Sequence, residues 1–299
     1  MKTIEITPIE IDVAKYKKRT AYVSDVSRII KEDCLITKNG VPSVLYIKLD
    51  KEMTKNLRWA VKNTKYATGV RARGLKSVSR IFGYAPRVAM RHNFCHASSM
   101  ALDFPKQHFV VSKFAEYVSD IYKKHFPATH EQHEQIVDER VLPEWKIKNS
   151  VFTSGIINKN NELKYHFDAG NFKGVMSNMV AFKGDVEGGH LAIPELDIAL
   201  EIADNTLTIF NGQEILHGVT PIETQNEQSY RYSVVYYSLE QMWKCEPIDD
   251  EIVRIRESQQ VKEKTRIDPE HKAKLQERAD ELRRQSQKEK QTSDIKNKK

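Results

Sequence analysis

The 299-residue chain carries 48 Lys and Arg against 41 Asp and Glu, a formal charge of +7, with 39% hydrophobic and 30% charged residues. That length can bury a substantial core, and no window approaches the roughly 20 consecutive apolar residues of a membrane span. The N-terminal MKTIEITPIEIDVAKYKK lacks the apolar core of a signal peptide, and Cys34, Cys95 and Cys245 are too few and too scattered for a disulfide framework or a zinc knuckle. A soluble protein in a reducing, intracellular compartment is expected.

Along the chain, the first fifty residues read as short strands and turns, with VPSVLYIKL (41–49) the clearest strand, and residues 51–66 read as a helix. No acidic residue stands between Glu52 and Asp103, while Lys55, Arg58, Lys62, Lys65, Arg71, Arg73, Lys76, Arg80, Arg87 and Arg91 fall in that gap. Such a segment (53–102), interleaved with Trp59, Tyr66, Phe82, Tyr84 and Phe94, suits phosphate contacts and base stacking, although for each aromatic taken alone a place in the core of a helical subdomain is favoured. Gly69, Gly74, Gly83 and Pro86 mark 67–87 as largely loop. Phe114, Tyr117, Val118, Ile121 and Tyr122 share one face of a helix over 113–126, which Pro127 ends. His125, His130 and His133 follow in polar, acidic surroundings that read as a solvated helix start rather than a metal site.

From about 150 to 240 the texture changes to short apolar-alternating runs, including VFTSGIIN, GVMSNMVAFK, HLAIP, LDIALEI, TLTIF and RYSVVYYSL, separated by Asn, Asp and Gly turns. These runs suggest a sandwich or jelly-roll barrel, and the fold class expected is α+β, mainly β, with N-terminal helical and loop segments. Beyond Trp243 the chain is highly charged; residues 251–299 hold 15 basic and 10 acidic residues, and Asp268-Pro269-Glu270 reads as a helix start. One domain over 1–245 and a charged helical or disordered tail over 246–299 are expected.

Within the strand-rich region the run KYHFDAGNF places His166 and Asp168 two apart, which on a strand turns both side chains to one face. His217, in GQEILHGVTPI just past TLTIF, offers a third ligand. Two imidazoles and one carboxylate make the facial triad of non-haem Fe(II) oxygenases, whose open positions admit a co-substrate and O2. His190, in EGGHLAIPEL, competes as a ligand but has no R-x-S at a comparable distance downstream. Fourteen residues past His217, Arg231 and Ser233 share a face, and a guanidinium beside a hydroxyl suits the distal carboxylate of 2-oxoglutarate.

The ordered run YHFDAGN, EGGHLAIPE, LHGVTPI and RYSVVYYS resembles the TET/JBP branch of Fe(II)/2-oxoglutarate dioxygenases over roughly 150–240, with 67–91 similar to the N-terminal part of small phage and bacterial members. The resemblance implies a double-stranded β-helix, iron held by His166, Asp168 and His217, and 2-oxoglutarate held by Arg231 and Ser233. It further implies that Asn171 contacts the substrate base and that Tyr237 packs against it. The implied reaction hydroxylates the 5-methyl group of 5-methylcytosine or thymine in DNA, with succinate and CO2 as co-products. The chain lacks the cysteine-rich zinc-binding extension of animal TET proteins. A methyl group inside a duplex cannot reach a recessed metal, so a flipped-out base or a single strand is expected, gripped by the basic segment. A monomer in the cytoplasm of a bacterial or phage-infected cell is expected, with no membrane partner. The alternatives are a 2-oxoglutarate-dependent hydroxylase of a protein side chain, free nucleotide or small metabolite, and a nucleic-acid-binding module without catalysis.

Overall fold

The computed structural model describes residues 1–70, 76–87 and 94–296. They form two compact units, one of Met1–Pro86 with His96–Lys244 and one of Arg87–Cys95 with Cys245–Lys299. No helix among the described residues is long and apolar enough to cross a membrane.

The first unit contains strands β1 (Lys2–Ile6), β2 (Arg28–Ile30), β3 (Cys34–Lys38), β4 (Val41–Lys48), β5 (Ala67–Val70), β6 (Lys76–Ala85), β7 (His96–Ala97), β8 (Ser154–Lys159) and β9 (Leu163–His166). After these come β10 (Ser177–Gly184), β11 (Val186–Gly188), β12 (Leu191–Ile193), β13 (Ile198–Leu200), β14 (Thr206–Phe210), β15 (His217–Val219), β16 (Ile222–Thr224) and β17 (Tyr230–Tyr237). Its helices are α1 (Val13–Tyr16), α2 (Lys51–Lys62), α3 (Ser99–Asp103), α4 (Pro105–His125) and α5 (Pro127–Arg140).

The larger sheet runs β1-β3-β4-β14-β10-β17-β8-β6-β5, with β7 on β6, and the smaller runs β2-β13-β12-β15-β9; β11 and β16 form a two-stranded ribbon. Pairing is antiparallel except for β1 with β3 and β2 with β13. The sheets enclose an apolar layer in which Val44, Tyr46, Met179, Ala181 and Phe210 meet Leu191, Ile193, Ile198 and Leu200. The other face of the larger sheet is covered by Leu57, Ala60 and Val61 of α2 and by Val111, Phe114, Ala115 and Val118 of α4. This is the jelly-roll core expected, a mainly β fold with helices against one sheet.

Period-two alternation sorts β17. Tyr232, Val234 and Tyr236 join the layer under the helices, so Arg231, Ser233, Val235 and Tyr237 take the opposite face, between the sheets. Helix α2 begins where Asp50 accepts hydrogen bonds from the Glu52 and Met53 amides at 2.9 and 3.1 Å, satisfying donors that a helix start leaves open.

Four expectations need correction. Residues 76–85 form the ten-residue strand β6 rather than loop, while 71–75 lie outside the described residues. Gly83 sits within β6 at φ +72°, where a Cβ would lie 2.7 Å from Thr153 O; the glycine marks a close approach of two strands, not a break. Helix α4 starts at Pro105, and Pro127 opens α5 as well as closing α4, because the first helical position needs no N–H. His130 and His133 are buried in α5 rather than solvated: His130 Nε2 bonds Ser119 Oγ at 3.0 Å and His133 Nε2 bonds Ser238 Oγ at 2.8 Å.

The second unit supplies the fourth correction. Cys95 and Cys245, 150 residues apart, form a disulfide with Cα atoms 5.6 Å apart; sequence separation concealed a pairing that proximity creates. Beside it, buried Glu251 accepts hydrogen bonds from Arg87 Nη2 at 2.7 Å and the Cys95 amide at 2.9 Å. Helix α6 (Ile248–Ile267) precedes α7 (Pro269–Lys296), which Asp268 caps through the Glu270 amide at 3.0 Å. Helix α7 continues to Lys296.

Candidate metal centre and co-substrate cavity

The smaller sheet builds the candidate metal site through its register. His166 ends β9 and His217 begins β15, and the two are paired across the antiparallel ladder, which places their rings 4.4 Å apart. Asp168 lies two residues beyond His166, its amide donating to Gly212 O at 2.8 Å. His166 Nε2 is 3.6 Å and His217 Nε2 3.8 Å from Asp168 Oδ1. One ligand atom from each residue falls within 4.8 Å of the others. Adjacent ligands on a cation with bonds near 2.1 Å stand about 3 Å apart, so small side-chain rotations close the set. Among the described residues, no other His, Cys, Asp and Glu group has this geometry.

Hydrogen bonding fixes which nitrogen of each ring is free to face the cluster. His166 Nδ1 is 2.7 Å from Lys164 O and His217 Nδ1 is 2.9 Å from Ile215 O. A carbonyl only accepts, so each Nδ1 carries the proton and each Nε2 offers its lone pair. Burial pushes the His217 imidazole down to about 4, partly opposed by Asp168, so the ring is neutral at pH 7, the form that can ligate a cation. The His166 and Asp168 side chains are 33% and 30% exposed against 6% for His217. The cluster is therefore open to solvent on the side of His166 and Asp168.

A cavity between the sheets joins this triad to Arg231 and Ser233, with Met179, Leu191, Phe210 and Val235 among its walls. Arg231 is buried, and burial pushes its guanidinium down to about 10. Its Nε donates to Gly189 O at 3.0 Å, while Nη2 is buried without a hydrogen-bond partner. A buried guanidinium with an unused donor costs free energy until an acceptor anion arrives. The donor set fits both groups implied: two imidazoles and a carboxylate for Fe(II), and a guanidinium with a hydroxyl for the far carboxylate of a 2-oxo diacid.

The remaining expected residues are placed as follows. His190 stays outside the ligand set, its pKa lowered by burial and by Lys183. Asn171 is buried and its Nδ2 donates to Ser177 Oγ at 3.1 Å. Tyr237 lies on the same face of β17 as Arg231. The basic segment is less free than its sequence suggests: Arg58 pairs with Asp204 at 2.9 Å, Lys55 with Glu52 at 3.6 Å, Arg80 with Asp103, and Arg87 with Glu251. Arg71, Arg73 and Arg91 lie outside the described residues.

Residues the sequence reading passed over include Lys183, Asn158 and Asn161. Lys183 faces Arg231 across the β10–β17 ladder and donates Nζ to Gly188 O at 2.9 Å; its place in AFKG gave only a strand position. Asn158 on β8 and Asn161 just beyond it line the cavity, and an asparagine within an otherwise apolar strand was the available signal.

Comparison with known proteins agrees with this geometry. Residues 93–240 match the Tet_JBP family, the oxygenase domain of the 2OGFeDO superfamily. The bifunctional helicase and thymine dioxygenase JBP2 of Trypanosoma brucei brucei is 27% identical over 124 residues, a match spanning 41% of this chain and 11% of JBP2. The solved structure of NgTET1 in complex with 5mC DNA is similar in fold, with a TM-score of 0.54 and 14% identity over 81% of this chain and 84% of that one.

Proposed function

The chain belongs to the TET/JBP family of Fe(II)/2-oxoglutarate-dependent dioxygenases, and from that premise we propose that it hydroxylates the 5-methyl group of a pyrimidine in DNA, 5-methylcytosine or thymine, to the 5-hydroxymethyl base. The observation that carries this reading is the pairing of the His166, Asp168 and His217 cluster with the unpartnered Nη2 of Arg231 at the other end of one cavity.

Each residue then has a task. His166, Asp168 and His217 hold Fe(II), which when bound with 2-oxoglutarate and O2 supplies the oxidising power for attack on a methyl C–H bond. Arg231 and Ser233 grip the distal carboxylate, so the 2-oxo acid end is directed toward the triad. The walls of Met179, Leu191 and Phe210 keep water from that end. The substrate base approaches from the side of His166 and Asp168. Asn171 bonds its edge, Tyr237 packs against it, and the base arrives flipped from the duplex or in a single strand. JBP2 is named for thymine and the NgTET1 complex for 5-methylcytosine in DNA, which supports a methylated pyrimidine as the target class.

The test is nucleoside mass spectrometry after incubation with Fe(II), 2-oxoglutarate and DNA, with and without cytosine methylation. A 5-hydroxymethyl base is expected in the DNA, with succinate formed in step. Succinate formed with free methylated nucleotides but no altered base in any DNA would move the assignment to a small-molecule hydroxylase.

A further inference from the structure

Two asparagines of the cavity wall have no role in the account above. Asn158 and Asn161 line the same cavity as Arg231 and Ser233 and are 7% and 3% exposed. A buried amide must satisfy its donors and its acceptor, and its partners reveal which way it points. Asn161 is fixed by the backbone of β6: Val78 N–H donates to its Oδ1 at 2.9 Å, and its Nδ2 donates to Val78 O at 3.2 Å. A backbone N–H only donates and a carbonyl only accepts, so those two bonds admit one orientation of the amide.

That orientation passes along the wall. Asn161 Nδ2 also donates to Asn158 Oδ1 at 3.0 Å. Asn158, held by its oxygen, presents its Nδ2, which donates to Ser233 Oγ at 3.3 Å. A serine hydroxyl carries one proton. Because Ser233 accepts from Asn158, its own O–H is left to donate into the cavity beside Arg231.

We propose that Asn158 is a positioning residue that holds Ser233 as a hydrogen-bond donor, and so selects a carboxylate over a neutral amide at the distal end of the co-substrate. This rests on the reading that Arg231 and Ser233 hold that end. A carboxylate only accepts, and meets donors from both residues. A carboxamide brings an NH2 group that finds one fewer acceptor in this wall. Asn158→Asp reverses the polarity: the new carboxylate accepts the Ser233 proton, and Ser233 turns a lone pair toward the cavity.

The experiment titrates Fe(II)-loaded protein anaerobically with 2-oxoglutarate and with the analogue whose distal carboxylate is a carboxamide, following the visible absorption of the chelate. The ratio of the two affinities is internal to each protein, so a general loss of structure does not imitate a change in it. Asn158→Asp is expected to lower the preference for 2-oxoglutarate by about tenfold or more, the scale of a hydrogen bond to a charged group. Within a Ser233→Ala background the same substitution should change the ratio less than about threefold, because the coupled partner is gone. Should Asn158→Asp not fold, Asn158→Ala, which frees the hydroxyl to rotate, should still lower the preference by about threefold.

An unchanged ratio in the folded variant, or an equal change with and without Ser233, overturns the proposal. Arg231→Ala separates it from its foundation. If that variant loses 2-oxoglutarate while the Asn158 variants keep the ratio, only the role of Asn158 fails; if it binds 2-oxoglutarate normally, the site assignment itself fails.

Discussion

Arg231 crosses Gly189 so closely that a Cβ on the glycine would lie 2.6 Å from the arginine Cδ and 2.7 Å from its Nε. Gly189 also sits at φ +67°, a left-handed conformation that side chains disfavour, and its carbonyl accepts the Arg231 Nε–H. The turn thus sets the height and the aim of the guanidinium. Gly189→Ala should weaken 2-oxoglutarate binding by about tenfold or more through displacement of Arg231, while Fe(II) binding persists. Anaerobic titrations with metal and then co-substrate measure the two separately. Unchanged 2-oxoglutarate affinity would show that Arg231 does not depend on this turn.

Gly212 plays the corresponding part for the metal. A Cβ there would fall 2.2 Å from Asp168 Oδ2 and 3.2 Å from His217 Cε1, and the Gly212 carbonyl accepts the Asp168 amide. Gly212→Ala should push the carboxylate out of the triad and lower Fe(II) affinity by about tenfold or more. Equilibrium dialysis against Fe(II) measures this, with Gly189→Ala as the control that retains the metal. Wild-type metal affinity in Gly212→Ala would mean that Asp168 is not held where its coordination requires.

The clustering of His166, Asp168 and His217, and the place of Arg231 and Ser233 on the wall of the same cavity, were legible because strand geometry makes spacing informative. His166 with Asp168, and Arg231 with Ser233, are each two residues apart, and period two puts each pair on one face. The jelly-roll strands were legible for the same reason. What escaped was set by partners distant in sequence. Strand β6 was hidden by Gly83, which serves a close approach to Thr153 rather than a break. The Cys95–Cys245 disulfide joins residues 150 apart. The basic run of 53–102 is neutralised in part by Asp204, Asp103 and Glu251, none of them within it.

Arg58 illustrates that last point. Its Nη1 and Nη2 meet the two oxygens of Asp204 at 2.9 and 3.0 Å, Nη2 also reaches Asn205 Oδ1 at 3.2 Å, and the guanidinium lies 4.5 Å over the Phe182 ring. Each bond is spent within the protein. Arg58→Ala should therefore lower unfolding free energy by about 1–3 kcal/mol, from a charge-assisted pair that is partly exposed. DNA affinity and its dependence on salt should stay unchanged. Urea unfolding and binding titrations at several salt concentrations measure the two effects. A shallower salt dependence without loss of stability would make Arg58 a phosphate contact instead.

His133 predicts how the fold answers to acid. Ser238 Oγ donates to Val151 O at 2.8 Å, so it accepts from His133 Nε2–H, and Nδ1 is buried without a partner. Burial, reinforced by His130, pushes the imidazole down to about 3 from an ordinary 6.5. The folded protein thus keeps His133 neutral where the unfolded chain protonates it. Below pH 6.5 the unfolded state binds the additional proton, so stability falls as pH drops and continues to fall until the folded pKa is reached. The contribution approaches about 1.4 kcal/mol per pH unit across that window. His133→Gln, which retains a donor for Ser238 and does not titrate, should lose this component while keeping stability near neutrality within about 1–2 kcal/mol. Urea unfolding at pH 7 and pH 5 in both proteins measures the difference, and an equal acid response in the two would place the sensitivity in other groups.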